Sequence, residues 1–364
     1  MQVRAVWMRG GTSKCWVFEN AALSGTGLTV DQVLLRAFGS PDTRQLDGVG
    51  GGTSTTSKAV IVSRSERPDV DVDFTFAQVG IEEAKVDWGS NCGNCSATVG
   101  LYAIEQGWVD ATHPRTRVNV FNENTNQLIV ETISTPGGQL PAQPDDMMIG
   151  TPFGGHKVLL GFRSPEGATT GALFPAGQRQ SELQVEDSVV KVSMVDAGAP
   201  TILIPASELN LDPSSYGDWK TAVTGLLPQI ENIRRHAAVA MGLAENPRVA
   251  ARAIPKIGIV SDSPDQGADI QILMFSMGKP HPAIPITASI ALTKAVLEPG
   301  TLAHVPAADP QRLRIRTPVG VIETHHEVTL SGTEVGVVRT ARSIAEAELF
   351  VPEGDPSLIT VGAV

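Results

Sequence analysis

Four short segments gather glycine, hydroxyl and ionisable residues densely enough to do chemistry. The longest is Asp47-Gly48-Val49-Gly50-Gly51-Gly52-Thr53-Ser54-Thr55-Thr56-Ser57-Lys58. It is not a phosphate-binding P-loop, which needs Gly before the Lys and Ser or Thr after it, because Ser57 and Ala59 flank Lys58. Nor is it a strand–GxGxxG–helix dinucleotide site, because Ala59-Val60-Ile61-Val62 reads as a strand. What remains is a loop lined by Gly52, Thr53 and Ser54 that delivers one lysine to the start of an apolar strand. Lysine in an apolar setting loses hydration of its charged form, so Lys58 is expected to act as a base. The bland alternative is a surface loop with a snorkelling lysine. Five consecutive hydroxyl residues beside near-consecutive glycines weigh against it.

Asn91-Cys92-Gly93-Asn94-Cys95 has CxxC spacing. As zinc ligands the cysteines lack a second pair of donors at comparable spacing, since His325 and His326 are adjacent. As a redox pair they lack a βαβ context. Cys92 at a helix start suggests a thiolate stabilised by the helix end, with Asn91, Gly93 and Asn94 around it, and Cys95 as packing. Buried cysteines acting as small hydrophobes are the alternative. In Arg9-Gly10-Gly11-Thr12-Ser13-Lys14, Gly11 permits close backbone approach, Thr12 and Ser13 supply donors, and Arg9 and Lys14 supply charge. A tight turn with solvated basic residues reads equally well. In Ser276-Met277-Gly278-Lys279-Pro280-His281-Pro282, Lys279 and His281 could hold a carboxylate, and the prolines would stiffen the loop.

The elements that must position these segments are mostly strands. Val70, Val72, Phe74 and Phe76 alternate with polar residues, and Val118–Val120 with Leu128–Val130 read as a hairpin. Further alternations fall at Val190–Met194, Leu313–Thr317 and Ala345–Val351. Ala97, Leu101, Ile104 and Trp108 share a helical face directly after Asn94, and Ile230, Ile233, Ala237 and Met241 share another, opened by Pro228. A third helix is expected from about Ala283 to Leu297. The balance predicts an α+β protein with antiparallel or mixed sheets. Strand, Gly-containing loop and helix start recur at 74–97 and 269–290, a weak internal repeat. Two facing halves would aim two helix N-termini at one cleft, a ready carboxylate site. Polar Gln178–Glu182 suggests domains of 1–182 and 183–364.

Composition narrows the function classes. A net charge of −11 and the absence of a basic tract with interleaved aromatics argue against nucleic acid as a partner. Apolar runs are too short to span a bilayer, so no membrane partner is expected. The start of the chain lacks the pattern of a secretory signal, which points to the cytoplasm. Three cysteines in a reducing compartment suggest free thiols.

The segments MRGGTSK (8–14), DGVGGGTSTTSK (47–58), NCGN with Ser96-Ala97, VSMVDAGAP (192–200), SMGKPHPAIP (276–285) and VVRTARSIAEAELFVP (337–352) resemble the isomerases typified by 2-methylaconitate cis–trans isomerase and 4-oxalomesaconate tautomerase, the PrpF-like family. The resemblance runs from end to end of the chain. It implies the diaminopimelate-epimerase-like fold: two pseudo-symmetric domains, each a β-roll around a central helix, with the active site in the interdomain cleft. The last strand, about 340–352, could then return to the first domain.

The resemblance also implies that Lys58 and Cys92 are the acid/base pair. Arg9, Thr12, Ser13, Ser54, Asn91, Asn94, Ser276 and His281 would hold substrate carboxylates, with Gly11, Lys14, Gly52, Thr53, Gly93, Met277, Gly278 and Lys279 in the same segments. Two residues depart from the family pattern: Cys15 where Gly is expected and Cys95 where an apolar residue is usual. If either lined the pocket, substrate choice would differ.

The expected reaction is a 1,3-allylic proton transfer on a small unsaturated polycarboxylate, with no metal, nucleotide or redox cofactor. A homodimer is compatible with this reading. An amino-acid epimerase on the same fold would need a cysteine from each half, yet every cysteine lies before residue 96. A thiol redox protein using Cys92 and Cys95 is the competitor from another class.

Overall fold

The computed structural model describes residues 1–352, apart from residues 90, 213–215, 277, 282, 307, 330 and 331 and the side chains of 216–220, 276 and 329. The chain divides into two units, residues 1–160 with the segment returning at Val338, and Gly161–Val337.

In the first unit, Gln2–Gly10 and Ser13–Glu19 form an antiparallel hairpin. Ser13–Glu19 runs parallel to Lys58–Arg64, which pairs antiparallel with Val72–Val79. That strand runs parallel to Arg115–Asn122, itself hairpinned to Gln127–Ser134. The second unit repeats these senses in order. Ser188–Ala197 pairs antiparallel with Ala199–Pro205, which is parallel to Lys256–Ser261. The latter is antiparallel to Ile270–Ser276, then come Arg312–Thr317 in parallel and Gly320–Thr329 in antiparallel. The sheets are therefore mixed.

Parallel neighbours cannot be joined by a tight turn, so each parallel pair requires a crossover. In both units the second crossover carries a buried helix. In the first it is Val99–Glu105, packed on Val72–Val79 and the hairpin 115–134. In the second it is Ile286–Leu297, whose residues from Ile286 to Val296 are all buried. A helix enclosed on every side has no use for a solvent-facing polar stripe, and the polar residues of this one bond within the protein, Thr293 to the Ser289 carbonyl and Lys294 to Glu166.

Three expectations need correction. The helix after Asn94 is not continuous: one turn, Gly93–Ser96, precedes Val99–Glu105. At the junction the Thr98 hydroxyl bonds the Cys95 carbonyl at 2.7 Å, the local competition that interrupts a helical ladder. Gly107, at φ 66°, then ends the helix before Trp108 can join its face. Pro228 does not open a helix but lies inside the 25-residue Tyr216–Ala240. The polar stretch 178–182 leads into a hairpin, Ser181–Val185 with Ser188–Ala197, wholly within the second unit. The division at 182/183 is thus replaced by one at 160/161, within the strand His156–Arg163. Among the described residues no helix is long and apolar enough to cross a membrane.

Candidate active site

The turn joining the first two strands is built against Asn94. Gly11 has φ 52°, and a Cβ there would fall 2.0 Å from Asn94 Oδ1, while one on Gly10 would fall 2.0 Å from the Asn94 carbonyl oxygen. Both positions need glycine, here for approach to protein rather than directly to a ligand. The Asn94 amide then donates to the Thr12 hydroxyl at 3.1 Å, tying the Arg9–Lys14 segment to the Asn91–Cys95 segment. Arg9 spends its guanidinium on acceptors of the fold: the carbonyls of Gly11, Thr340 and Gly154 and the Thr340 hydroxyl.

The glycine loop has an organiser that nothing in the motif announces. Gln45, 1% exposed, accepts from the Gly52 N–H at 2.9 Å and donates to Ser57 Oγ at 2.7 Å and Ser40 Oγ at 3.0 Å. The Thr55 carbonyl accepts from the Lys14 N–H, so this loop and the first turn abut. Thr53 and Ser54 are exposed, with Thr53 bonded to the Thr55 and Thr56 hydroxyls. Lys58 opens its strand, buried, with its ammonium 4.8 Å from the Phe76 ring centroid. It donates to Gln78 Oε1 at 2.6 Å. Gln78 sits directly opposite in the ladder and is itself fixed by donating to the Ser57 carbonyl. The lysine is therefore aimed by an uncharged amide rather than neutralised by a carboxylate.

Cys92 caps the single turn Gly93–Ser96 and is partly accessible, whereas Cys95 and Cys15 are fully buried. The expected thiolate is not supported. The hydrogen bond with Cys95, and burial after it, push the Cys92 thiol well above its ordinary range, against the opposing charge of Lys58. One helical turn offers too few aligned peptides to reverse that. Cys92 is thus a protonated thiol at neutral pH. Cys95 and Cys15, each 0% exposed, do not line the pocket described next. Asn91 accepts from Ser96 Oγ at 3.2 Å, while its own amide nitrogen is enclosed without an acceptor among the described residues. An enclosed N–H left unpaired on the residue that precedes Cys92 in the chain is available to an oxygen.

A cavity of about 210 Å³ opens over the first turn. Arg9, Thr12, Ser13 and Lys14 form one wall, and the others are Thr56, the loop Gly150–Phe153, Arg342 and Ile344. Lys58 and Cys92 do not line it. They connect to it through Thr56, two residues before Lys58, and through the Thr12–Asn94 bond. Sequence reasoning missed Gln45, Thr56, Gln78, Gly150–Phe153 and Arg342. Thr56 lies in the hydroxyl run and Arg342 in a quoted segment, but Gln45 and Gln78 carry no sequence signal.

The segment 276–281 belongs to the other unit. His281 accepts from the Ala283 N–H at 3.0 Å, and burial, with Lys256 adding to it, lowers its pKa, so it is a neutral imidazole. Gly278 has φ 77° and borders a cavity of only about 20 Å³, with Arg252 and Lys256. Lys279 is exposed. The Ser276 side chain and Met277 lie outside the described residues. No group of three His, Cys, Asp or Glu that could hold a metal ion occurs among the described residues.

Comparison with known proteins places these features. The model of the family described as PrpF protein matches residues 1–352. The chain belongs to the PrpF family. Its relatives include the (4E)-oxalomesaconate Delta-isomerase of Novosphingobium sp. (strain KA1), 35% identical over 95% of this chain and 96% of that one. The 2-methyl-aconitate isomerase of Cupriavidus necator is 34% identical, over 97% and 98%. Among solved structures, methylitaconate-delta-isomerase superposes with a TM-score of 0.85 at 33% identity, covering 96% of each chain. A probable proline racemase from Agrobacterium radiobacter K84, 13% identical with a TM-score of 0.55 over 97% and 94%, shares the fold alone. This PrpF protein is an isomerase, and its mixed fold is that of methylitaconate-delta-isomerase.

Proposed function

We propose that this PrpF protein moves a proton across the allyl system of a small unsaturated polycarboxylate, with Lys58 as base and Cys92 as acid. The observation that carries the reading is the pairing of a lysine aimed by the Gln78 amide with a protonated Cys92 thiol that senses its charge. Lys58 in its amine form takes a proton from carbon activated by a carboxylate and a double bond. Charge then spreads over the dienolate, and the unpaired Asn91 N–H is a donor for the oxygen on which it collects. The Cys92 thiol returns a proton at the far carbon, and the Lys58 ammonium reprotonates the thiolate, closing the cycle without net change.

The relatives support the substrate class, since their names specify oxalomesaconate, methylaconitate and methylitaconate. All three are short, anionic and unsaturated. Proton NMR in deuterated buffer on these compounds and aconitate tests the reading. The double bond of at least one should move with deuterium incorporation. Lys58→Ala should lower the rate roughly 10²–10⁴-fold, the usual contribution of a positioned base. Unchanged exchange in Lys58→Ala would sink the assignment.

A further inference from the structure

Resting on that reading, the register of the first unit narrows the substrate class. Arg9 on Gln2–Gly10 is paired on one side with Lys14 and on the other with Arg342 of the strand Gly332–Phe350. Residues directly opposite one another in a ladder point to the same face. Three cations therefore stand in a row across three adjacent strands, and all three line the 210 Å³ cavity.

The row depends on a bulge. Continuing the pairing of Trp7 with Ala345 would set Ser343 opposite Arg9, but the register shifts between Trp7 and Met8, leaving Ile344 unpaired and Arg342 opposite Arg9. Bulges of this kind re-aim side chains next to functional sites.

Like charges directly opposite are destabilising in a sheet, and nothing in the cavity wall offsets them. No Asp or Glu is among the described lining residues. Arg9 is satisfied by carbonyls and a hydroxyl, not by a carboxylate. Lys14 lies 5.1 Å from the Trp7 ring centroid and Arg342 5.7 Å from that of Phe153, contacts that orient the cations without neutralising them. Burial, and then the Arg342 charge, depress the pKa of Arg9. Of the acidic residues before the loop Gly150–Phe153, Asp146 acts on His156.

We propose that the Lys14–Arg9–Arg342 row is a carboxylate subsite that selects tricarboxylates over dicarboxylates, with Arg342 as the specificity-determining residue. Arg9 fixes the strands and supplies field, while Lys14 and Arg342 hold the carboxylate remote from the reacting carbon. Oxalomesaconate and methylaconitate carry three carboxylates, and methylitaconate carries two. The row therefore predicts which of these this enzyme prefers.

The test uses the full-length protein and two saturated probes that cannot isomerise: tricarballylate, with three carboxylates, and glutarate, with two. Calorimetry should show tricarballylate binding at least tenfold tighter than glutarate in the wild type, with the preference weakening as salt rises. Arg342→Gln should abolish the preference and Arg342→Lys should restore part of it. In turnover, Arg342→Gln should raise KM for a tricarboxylate at least tenfold more than for methylitaconate. Relief of like-charge crowding should also raise the unliganded Tm of Arg342→Gln, by roughly 1–3 °C. A strut would lose Tm on the same change, and that result overturns the proposal. So does tricarballylate binding that is equal in wild type and variant, or no tighter than glutarate binding in the wild type. Arg342-dependent tricarballylate binding without isomerisation of any candidate would uphold the subsite and sink the proposed reaction instead.

Discussion

The chemistry of Cys92 is set by its neighbours more than by its place in a motif. Asn-Cys-Gly-Asn suggests a thiolate at a helix start, and the position is indeed an N-cap, but the helix behind it lasts one turn and Cys95 lies against it. The second cysteine, which reads in sequence as packing, is what raises the first. The consequence is measurable. Because burial and the Cys95 bond favour the protonated form, the thiolate should appear only above the ordinary thiol value of 9.0. Iodoacetamide labelling of Cys92 should therefore be slow at pH 7 and still be rising as pH passes 9. Cys95→Ala should shift that profile to lower pH. A labelling profile that plateaus below pH 8 would mean that Cys92 is a thiolate nucleophile and not a stored proton. Lys58 was legible from its loop, but Gln78, which aims it, was not. A glutamine in a strand looks like any solvent-facing position until the ladder sets it opposite a lysine.

At the scale of the element, the Gly10-Gly11 turn owes its glycines to a neighbour within the protein. Glycines in Arg-Gly-Gly-Thr-Ser-Lys suggest backbone open to a ligand. In the structure they are small so that Asn94 can reach Thr12. Gly11→Ala would force a Cβ into the Asn94 side chain at a residue with φ 52°. Both effects oppose folding, and each costs on the order of 1–3 kcal/mol. Denaturant titration should show that loss in the midpoint, with kcat/KM falling further than stability explains because the Thr12–Asn94 link positions the cavity wall. Gly27→Ala serves as the control, since Gly27 also has positive φ but nothing lies within 4 Å of its Cβ position. Equal losses in the two variants would show that backbone conformation, not the approach to Asn94, is what Gly11 supplies. The half-buried strands were legible from their alternation, whereas the helix breaks depend on one hydrogen bond at Thr98 and one left-handed glycine at Gly107, neither of which periodicity registers.

For the whole molecule, the repeated order of strand senses explains why the two halves share only a faint echo in sequence. A repeat of topology needs apolar faces and a helix in the second crossover, and many sequences satisfy that. The division of the chain was harder to read, because polar composition marks the edge of a hairpin as readily as a boundary, and 178–182 leads into the strand Ser181–Val185. The returning strand has the larger energetic consequence. Gln2–Gly10 is a central strand only because Ala341–Phe350 pairs along its whole length, and Val3 and Ala5 on it are each 2% exposed. Leu349 and Val351 join the same apolar cluster, and the Met1 carbonyl accepts from the Val351 N–H. A fragment of residues 1–160 would therefore present a long, apolar, unpaired edge where the intact unit has a ladder. It should unfold without a cooperative transition and lack the near-ultraviolet signal of the Trp7–Trp16 pair, whose ring centroids lie 4.7 Å apart. Adding a peptide of residues 338–352 should restore both signals in a concentration-dependent way, as a ligand that binds only the folded form must. Recovery should persist with a peptide lacking Ile344, since deleting the bulged residue leaves Ser343 opposite Met8 and Arg342 opposite Arg9 in an unbroken ladder. If the 1–160 fragment instead melted cooperatively on its own, the first strand would be held by Ser13–Glu19 alone, and the returning segment would serve the cavity without serving the fold.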